Sequence, residues 1–201
     1  MAIKAIIWDL GGVLIRTEDF SSRLDLAKDC GLSLNELEHL VFNSESGVKA
    51  QLGLITAEQH WKNVANALQK TEISIPDIQQ RFWGGDRLDR ALIGKIRQQR
   101  KEYMTALLSN AFDDLQNMIA NVWNIQDAFD EIVISAEAGL MKPDRRIYSL
   151  VLDRLAVQPK EALFIDDFQT NIDGARRANI KAVQFFSTAQ ISSAVDNFLK
   201  A

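Results

Sequence analysis

A chain of 201 residues, 47% apolar and 25% charged, can bury a core as one domain, or one domain carrying a smaller insertion, without disulfide or metal staples. Cys30 is the only cysteine, which excludes an internal disulfide and suits a reducing compartment. The net charge of −4 speaks against a broad nucleic-acid surface, and no stretch approaches the roughly 18 consecutive apolar residues of a membrane span. The expected setting is cytoplasmic, with no nucleic-acid or membrane partner, for a monomer or weak homodimer.

The first element is the apolar run Ile3–Trp8, too short and too soon interrupted by Asp9 for a leader peptide, and read as a buried strand. It stops at Asp9-Leu10-Gly11-Gly12-Val13, where two glycines let the backbone turn sharply and approach a ligand. From Ile15 to Arg87 no strand pattern is visible. Two helix-start patterns stand there instead, Ser33 with Glu36 and Thr56 with Gln59. Apolar spacing follows each, in Leu37, Leu40 and Val41, then in Trp61, Val64, Ala65 and Leu68. Residues 16–86 are therefore expected to form a small helical cap on a core of residues 1–15 and 87–201. Trp61, Phe82 and Trp83 read first as core and second as a sugar-stacking surface. His39 and His60 lack partners at metal-ligand spacing and read as structural. Gly84-Gly85 suits a hinge and a plain loop equally.

Leu88–Arg100 is expected to be helical, with Leu88, Leu92 and Ile96 on one face and Lys95, Arg97, Arg100 and Lys101 on a solvated one. Strand Tyr103–Leu108 leads to Ser109-Asn110. Strand Glu131–Ile134 precedes Lys142-Pro143, and a helix over Arg145–Ala156 aligns Ile147, Leu150, Val151 and Leu155. Strand Ala162–Ile165 ends at Asp166-Asp167, with Asn171 and Asp173 one turn on, and Ala182–Phe186 is the last strand. Continuous apolar strands alternating with helices predict an α/β fold: a doubly wound, mainly parallel, five-stranded Rossmann-like sheet with a helical cap insertion.

Four polar motifs fall at or just beyond strand ends, the edge where open parallel sheets bind ligands. Singly they say little. An Asp closing a strand is more often a turn former or helix cap than a nucleophile, and Ser-Asn before a helix reads as an N-cap. Adjacent Asp166 and Asp167 say more, because two carboxylates at a buried strand end repel unless a cation or proton relieves them. A carboxylate, a hydroxyl, an ammonium and a carboxylate pair at one sheet edge suit a divalent cation plus a phosphoryl group.

DLGGVL, LLSN, GLMKPDRRIY and FIDDFQTN, in this order and spacing, resemble the four motifs of the haloacid-dehalogenase-like hydrolases, and the likeness runs over nearly the whole chain. The resemblance implies a Mg²⁺-dependent phosphatase acting on a small phosphorylated metabolite. Asp9 would attack phosphorus and form an aspartyl-phosphate, with Ser109 and Lys142 as its catalytic companions. Ser109, Asn110, Lys142 and the Gly11 backbone would bind the phosphoryl group. Asp9, the Gly11 carbonyl, Asp166 and Asp167 would hold Mg²⁺, whose preference for hard oxygen ligands they match. The spacing to Asn171 favours Asp167 as principal ligand.

The sequence departs from the family at Gly11, where the commonest pattern has the Asp that protonates the leaving group. General acid–base help is worth about 10² to 10⁴ in rate. A leaving group needing little protonation, such as a sugar's anomeric oxygen, is the preferred explanation, and members with DLG resemble bacterial sugar-phosphate phosphatases. Proton transfer by another group, with Thr17 and Glu18 near in sequence, is a second explanation. A weak or inactive protein that binds a phosphorylated ligand or partner is a third. A dehalogenase would need no metal, and the Asp166-Asp167 pair argues against it. Substrate choice is expected from the insertion, Phe20–Gly85, closing over the sheet edge.

Overall fold

The computed structural model describes residues 2–69 and 73–200, so residues 70–72 of the expected cap lie outside the described residues. β1 (Ala5–Trp8) leads through a tight loop to a short strand, β2 (Ile15–Thr17). Then come α1 (Ser21–Asp29), α2 (Leu34–Glu38), α3 (Glu45–Gln51), α4 (Ala57–Leu68) and α5 (Ile75–Trp83). β3 (Asp86–Leu88) returns the chain to α6 (Arg90–Gln99) and β4 (Met104–Ser109). A helical turn, α7 (Leu115–Asn117), precedes β5 (Glu131–Ile134), the single turn α8 (Ser135–Ala138) and α9 (Arg145–Leu155). β6 (Ala162–Asp166), α10 (Gln169–Arg177), β7 (Lys181–Gln184) and α11 (Thr188–Lys200) follow.

The five expected strands form one sheet in the order β5-β4-β1-β6-β7, with every pairing parallel. Their apolar runs are continuous because both faces are covered. Ile6, Trp8, Leu107, Leu163 and Ile165 pack with Leu92, Ile93, Ile96, Ile191 and Val195 on one side. Ala5, Ile7, Ala106, Leu108 and Phe164 pack with Ile147, Val151, Leu155 and Ile172 on the other. Each such side chain, fully buried, contributes roughly 1.5–3 kcal/mol over an exposed one. No helix among the described residues is long and apolar enough to cross a membrane.

One expectation fails: the interval from Ile15 to Arg87 does contain strand. β2 and β3 pair antiparallel, Ile15 with Leu88 and Thr17 with Asp86. The Ile-Arg-Thr and Asp-Arg-Leu sequences are too short and too polar for a periodic signal, and partners this far apart in sequence have no turn between them to announce the pairing. Leu88 thus belongs to the ribbon rather than to α6, whose N-cap is Asp89, with Oδ1 accepting from the Leu92 N–H at 2.8 Å.

Helices α1–α5 bury a core of their own, including Leu26, Leu37, Val41, Trp61, Val64, Ile78 and Phe82. Both expected capping boxes form, at Ser33 with Glu36 and Thr56 with Gln59, each satisfying N–H groups that would otherwise lack a partner. Trp61 and Phe82 are core residues, while Trp83 is 37% exposed at the rim. Buried His60 meets Ser46 Oγ through Nδ1 at 3.0 Å. The loop Gly84-Gly85 is packed, its Gly85 carbonyl accepting from the Glu18 N–H at 3.0 Å. On α6, Arg97 pairs with Asp127 at 2.7 Å and Arg100 with Asp130 at 2.8 Å, so the basic face is solvated and charge-paired.

The helical unit also touches two loops at the sheet's carboxyl edge. Phe112, past β4, is buried in the helical core, and Asp113 Oδ1 accepts from the Ala57 N–H at the start of α4 at 2.9 Å. At Gly53 (φ +68°) a Cβ would fall 2.1 Å from the Ala136 carbonyl, so only glycine lets the backbones meet there.

Candidate active site

Strand register brings the motifs together. Trp8 pairs with Leu107 on one side and Ile165 on the other. Asp9 therefore emerges beside Asp166, and Ser109 extends two residues beyond the Leu107 level. Asp9, Ser109 and Asp166 are all buried at the carboxyl ends of adjacent central strands. The Asp9 N–H donates to the Ile165 carbonyl at 2.9 Å. Asp9 Oδ1 accepts from the Leu10 N–H at 2.7 Å.

Lys142 reaches the same point from the loop before α9. Its Nζ stands 2.7 Å from Asp9 Oδ1 and 2.6 Å from Asp166 Oδ2. Burial alone would lower the pKa of this ammonium, but the charges of Asp9 and Asp166 prevail and hold it above the usual lysine value. Burial also raises the Asp9 carboxyl well above its usual value; Lys142 opposes that shift, and Asp166 and Asp167 add to it. Asn110 fixes the Lys142 backbone from both sides: its Nδ2 donates to the Lys142 carbonyl at 2.9 Å, and its Oδ1 accepts from the Lys142 N–H at 2.8 Å. The expected direct contact of this amide with phosphate competes with that clamp, which makes Asn110 a positioning residue first.

The two adjacent aspartates differ. Asp166 is fully engaged: beyond Lys142, it accepts from the Phe168 N–H at 2.8 Å and from Asn171 Nδ2 at 3.0 Å to each oxygen. Asn171 is steadied in turn by Tyr148, whose hydroxyl donates to its carbonyl at 2.8 Å. The spacing argument thus needs correcting, since Asn171 serves Asp166 and not Asp167. Asp167 nonetheless remains the open carboxylate, its buried Oδ1 having no hydrogen-bond partner. Burial, reinforced by Asp166, pushes its carboxyl up to about 6. Gly12 (φ +74°) makes room for it, because a Cβ there would fall 2.1 Å from Asp167 Oδ2. At Gly11 the space is open, with no atom within 4 Å of a built Cβ.

Oxygens of Asp9, Asp166 and Asp167 lie within 4.8 Å of one another, with one ammonium, Lys142, against three carboxylates. An unpartnered buried carboxylate oxygen is costly, and a hard divalent cation is the group that this donor set fits. Of the two alternative proton carriers near in sequence, Thr17 is committed to the ribbon, its Oγ1 donating to Asp86 Oδ1 at 2.6 Å, and Glu18 is exposed. The Tyr148–Asn171–Asp166 relay was missed by sequence reasoning. Its only signal is Tyr148 on the buried face of a helix that starts just past Lys142.

The family model of haloacid dehalogenase-like hydrolases matches residues 3–179. Among solved structures, a family enzyme of Bacteroides thetaiotaomicron superposes with a TM-score of 0.81 at 23% identity, over 97% of this chain and 99% of that one. The same enzyme in complex with magnesium and inorganic phosphate gives a TM-score of 0.78 over 93% and 96% of the two chains, at 24% identity. A predicted HAD-like family hydrolase of Porphyromonas gingivalis gives 0.83 at 21% identity over the whole of both chains. The phosphoglycolate phosphatase of Aquifex aeolicus is 22% identical over 98% of this chain and 91% of its own. Mouse bifunctional epoxide hydrolase 2 is 24% identical over 94% of this chain, which spans 37% of that protein. The chain spans less than two fifths of each of the first curated relatives that it matches.

Proposed function

Because the chain belongs to the haloacid dehalogenase-like hydrolases, we propose that it is a Mg²⁺-dependent phosphatase of a small phosphorylated metabolite, with a sugar phosphate as substrate. The observation that carries the reading is Asp167 Oδ1, buried and unpartnered beside two further carboxylates with one ammonium among them. That surplus of negative charge suits a phosphate site only with a cation present. The relative crystallised with magnesium and phosphate and the phosphatase among the curated relatives point the same way.

Mg²⁺ would be held by Asp9, the Gly11 carbonyl and Asp167, with Asp166 behind them, and would supply charge compensation for the phosphoryl oxygens. Asp9 is the nucleophile. Lys142 and the Leu10 N–H hold its Oδ1, which leaves Oδ2 to attack phosphorus and form the aspartyl-phosphate that water then hydrolyses. Ser109 donates to a phosphoryl oxygen, and Lys142 supplies positive charge to the phosphoryl group and Asp9 together. Asn110 keeps Lys142 in place. Residues 16–86 serve as the cap of a core formed by residues 1–15 and 87–201, and the enzyme works in the cytoplasm as a monomer or weak homodimer. With no side chain at position 11, the leaving group departs with little proton transfer, which favours an anomeric phosphate.

Phosphate release from about thirty small phosphates, with Mg²⁺ and with EDTA, tests this for wild type and Asp9→Asn together. Metal-dependent turnover lost in the variant is expected. The bare Gly11 also favours a second reading, a catalytically weak relative that binds a phosphorylated ligand. Silence across the panel, with Mg²⁺ and beryllium fluoride still raising the melting temperature, would select it.

A further inference from the structure

The helical unit sits on one half of the sheet edge. Its contacts through Phe112, Asp113 and Ala136 are with loops that follow β4 and β5, and those strands lie on one side of β1. On the other side, beyond β6 and β7, two large rings stand in solvent: Phe168 is 63% exposed and Phe186 72%. Asp166 pairs with Gln184, so these rings occupy equivalent places, each two residues further along its chain. Among the described residues, no hydrogen bond, ion pair or ring stacking joins either of them to α1–α5.

Both positions are tied to the acidic centre. The Phe168 N–H donates to Asp166 Oδ1 at 2.8 Å, and Gln184 Nε2 donates to the Asp167 carbonyl at 2.9 Å. The surroundings are uncharged, since residues 182–195 contain no Asp, Glu, Lys or Arg. Two bare aromatic rings beside a buried polar centre suit recognition better than stability, because exposed rings gain nothing from folding.

We infer that the substrate's leaving group lies over Phe168 and Phe186, on the side away from the helical unit, and is therefore uncharged with an apolar or C–H-rich face. The inference rests on the phosphatase reading and deepens it. A pyranose carries such a face; a leaving group bearing its own carboxylate or second phosphate does not suit this rim. The expectation that the insertion alone reads the leaving group is replaced by division of labour: the helical unit covers the phosphate side and the aromatic rim selects what is attached.

Calorimetric binding of methylphosphonate, benzylphosphonate and phosphonoacetate in Mg²⁺ tests this without requiring turnover. Wild type should bind the benzyl compound about tenfold more tightly than the methyl one, as a stacked ring would provide, and phosphonoacetate no better than methyl. In Phe168→Ala/Phe186→Ala the benzyl preference should fall below about threefold with methylphosphonate affinity unchanged, while Trp83→Ala, on the helical side, should keep it. Preference retained in the double variant, lost in Trp83→Ala, absent in wild type, or transferred to phosphonoacetate would overturn the inference while methylphosphonate binding left the phosphate site standing. Failure of wild type to bind any of the three would remove the phosphatase reading itself. Both rings are exposed, so the variants should melt as wild type does, and single substitutions serve should the double variant melt early.

Discussion

Lys142 Nζ and Asp166 Oδ2 meet at 2.6 Å with side chains 1% and 0% exposed, and the same ammonium lies 2.7 Å from Asp9. Removing one partner of a buried ion pair leaves an uncompensated charge and costs about 3–5 kcal/mol. Lys142→Met, which keeps most of the side-chain volume, is expected to lose that much in urea unfolding at pH 7 and to abolish turnover. A loss under about 1 kcal/mol would mean that the carboxylates share a proton and need no lysine between them.

The strand order and the positions of Asp9, Ser109, Lys142 and Asp166 at one edge were legible because buried parallel strands are continuous apolar runs that stop at polar residues. What stayed hidden has a common physical origin: contacts between segments far apart in sequence that leave no local pattern. The ribbon from Ile15 and Asp86 is one case. The Asn110 clamp on Lys142 is another, since Ser-Asn before a helix reads locally as a cap or a phosphate contact. Asn171 was placed correctly on its turn and given the wrong partner, because spacing fixes its distance along the chain and not which of two adjacent carboxylates faces it. Phe112 and Asp113, which join the helical unit to the loop after Ser109, carried no signal at all.

Asp167 has an unpartnered buried oxygen in metal-free protein, next to Asp166. In EDTA, Asp167→Asn should therefore raise the melting temperature, since one of three clustered carboxylates loses its charge. Addition of Mg²⁺ should reverse the order. A ligand at 100 times its Kd stabilises the folded state by about 2.7 kcal/mol, and the gain should appear in wild type and be nearly absent in the variant. An equal thermal response of both proteins to Mg²⁺ would take Asp167 out of the cation site.

His60 offers a pH test away from the acidic centre. Burial lowers its imidazole below the usual value, with the Val41 carbonyl opposing. The folded protein therefore keeps it neutral, while the unfolded chain takes up a proton near pH 6.5. The stability it contributes is present above pH 6.5 and is lost as pH falls from there toward the folded value. Wild type should unfold at lower denaturant at pH 5 than at pH 7.5. His60→Gln should show less of that dependence and, having lost the ring contacts with Phe112 at 4.9 Å and Trp61 at 5.7 Å, be less stable by about 1–3 kcal/mol at pH 7.5. Parallel pH profiles for the two proteins would show that other groups control the acid limb.

Gly11 provides the sharpest test of substrate range. A Cβ built there meets no atom within 4 Å, and Gly11 is not among the glycines of positive φ, so Gly11→Asp should fold and lose no more than about 0.5 kcal/mol, as exposed substitutions generally do. The carboxyl would stand one residue from the backbone that borders Asp167, where it can give a proton to a departing oxygen. Alkyl phosphates, whose leaving groups are strong bases, should gain about 10² or more in kcat. Anomeric and aryl phosphates leave without that help and should change by less than about threefold. The split between the two substrate classes is the informative quantity: equal gains on both would mean that the bare position does not set substrate range, and no gain on either would mean that protons reach the leaving group by a route the new carboxyl does not improve.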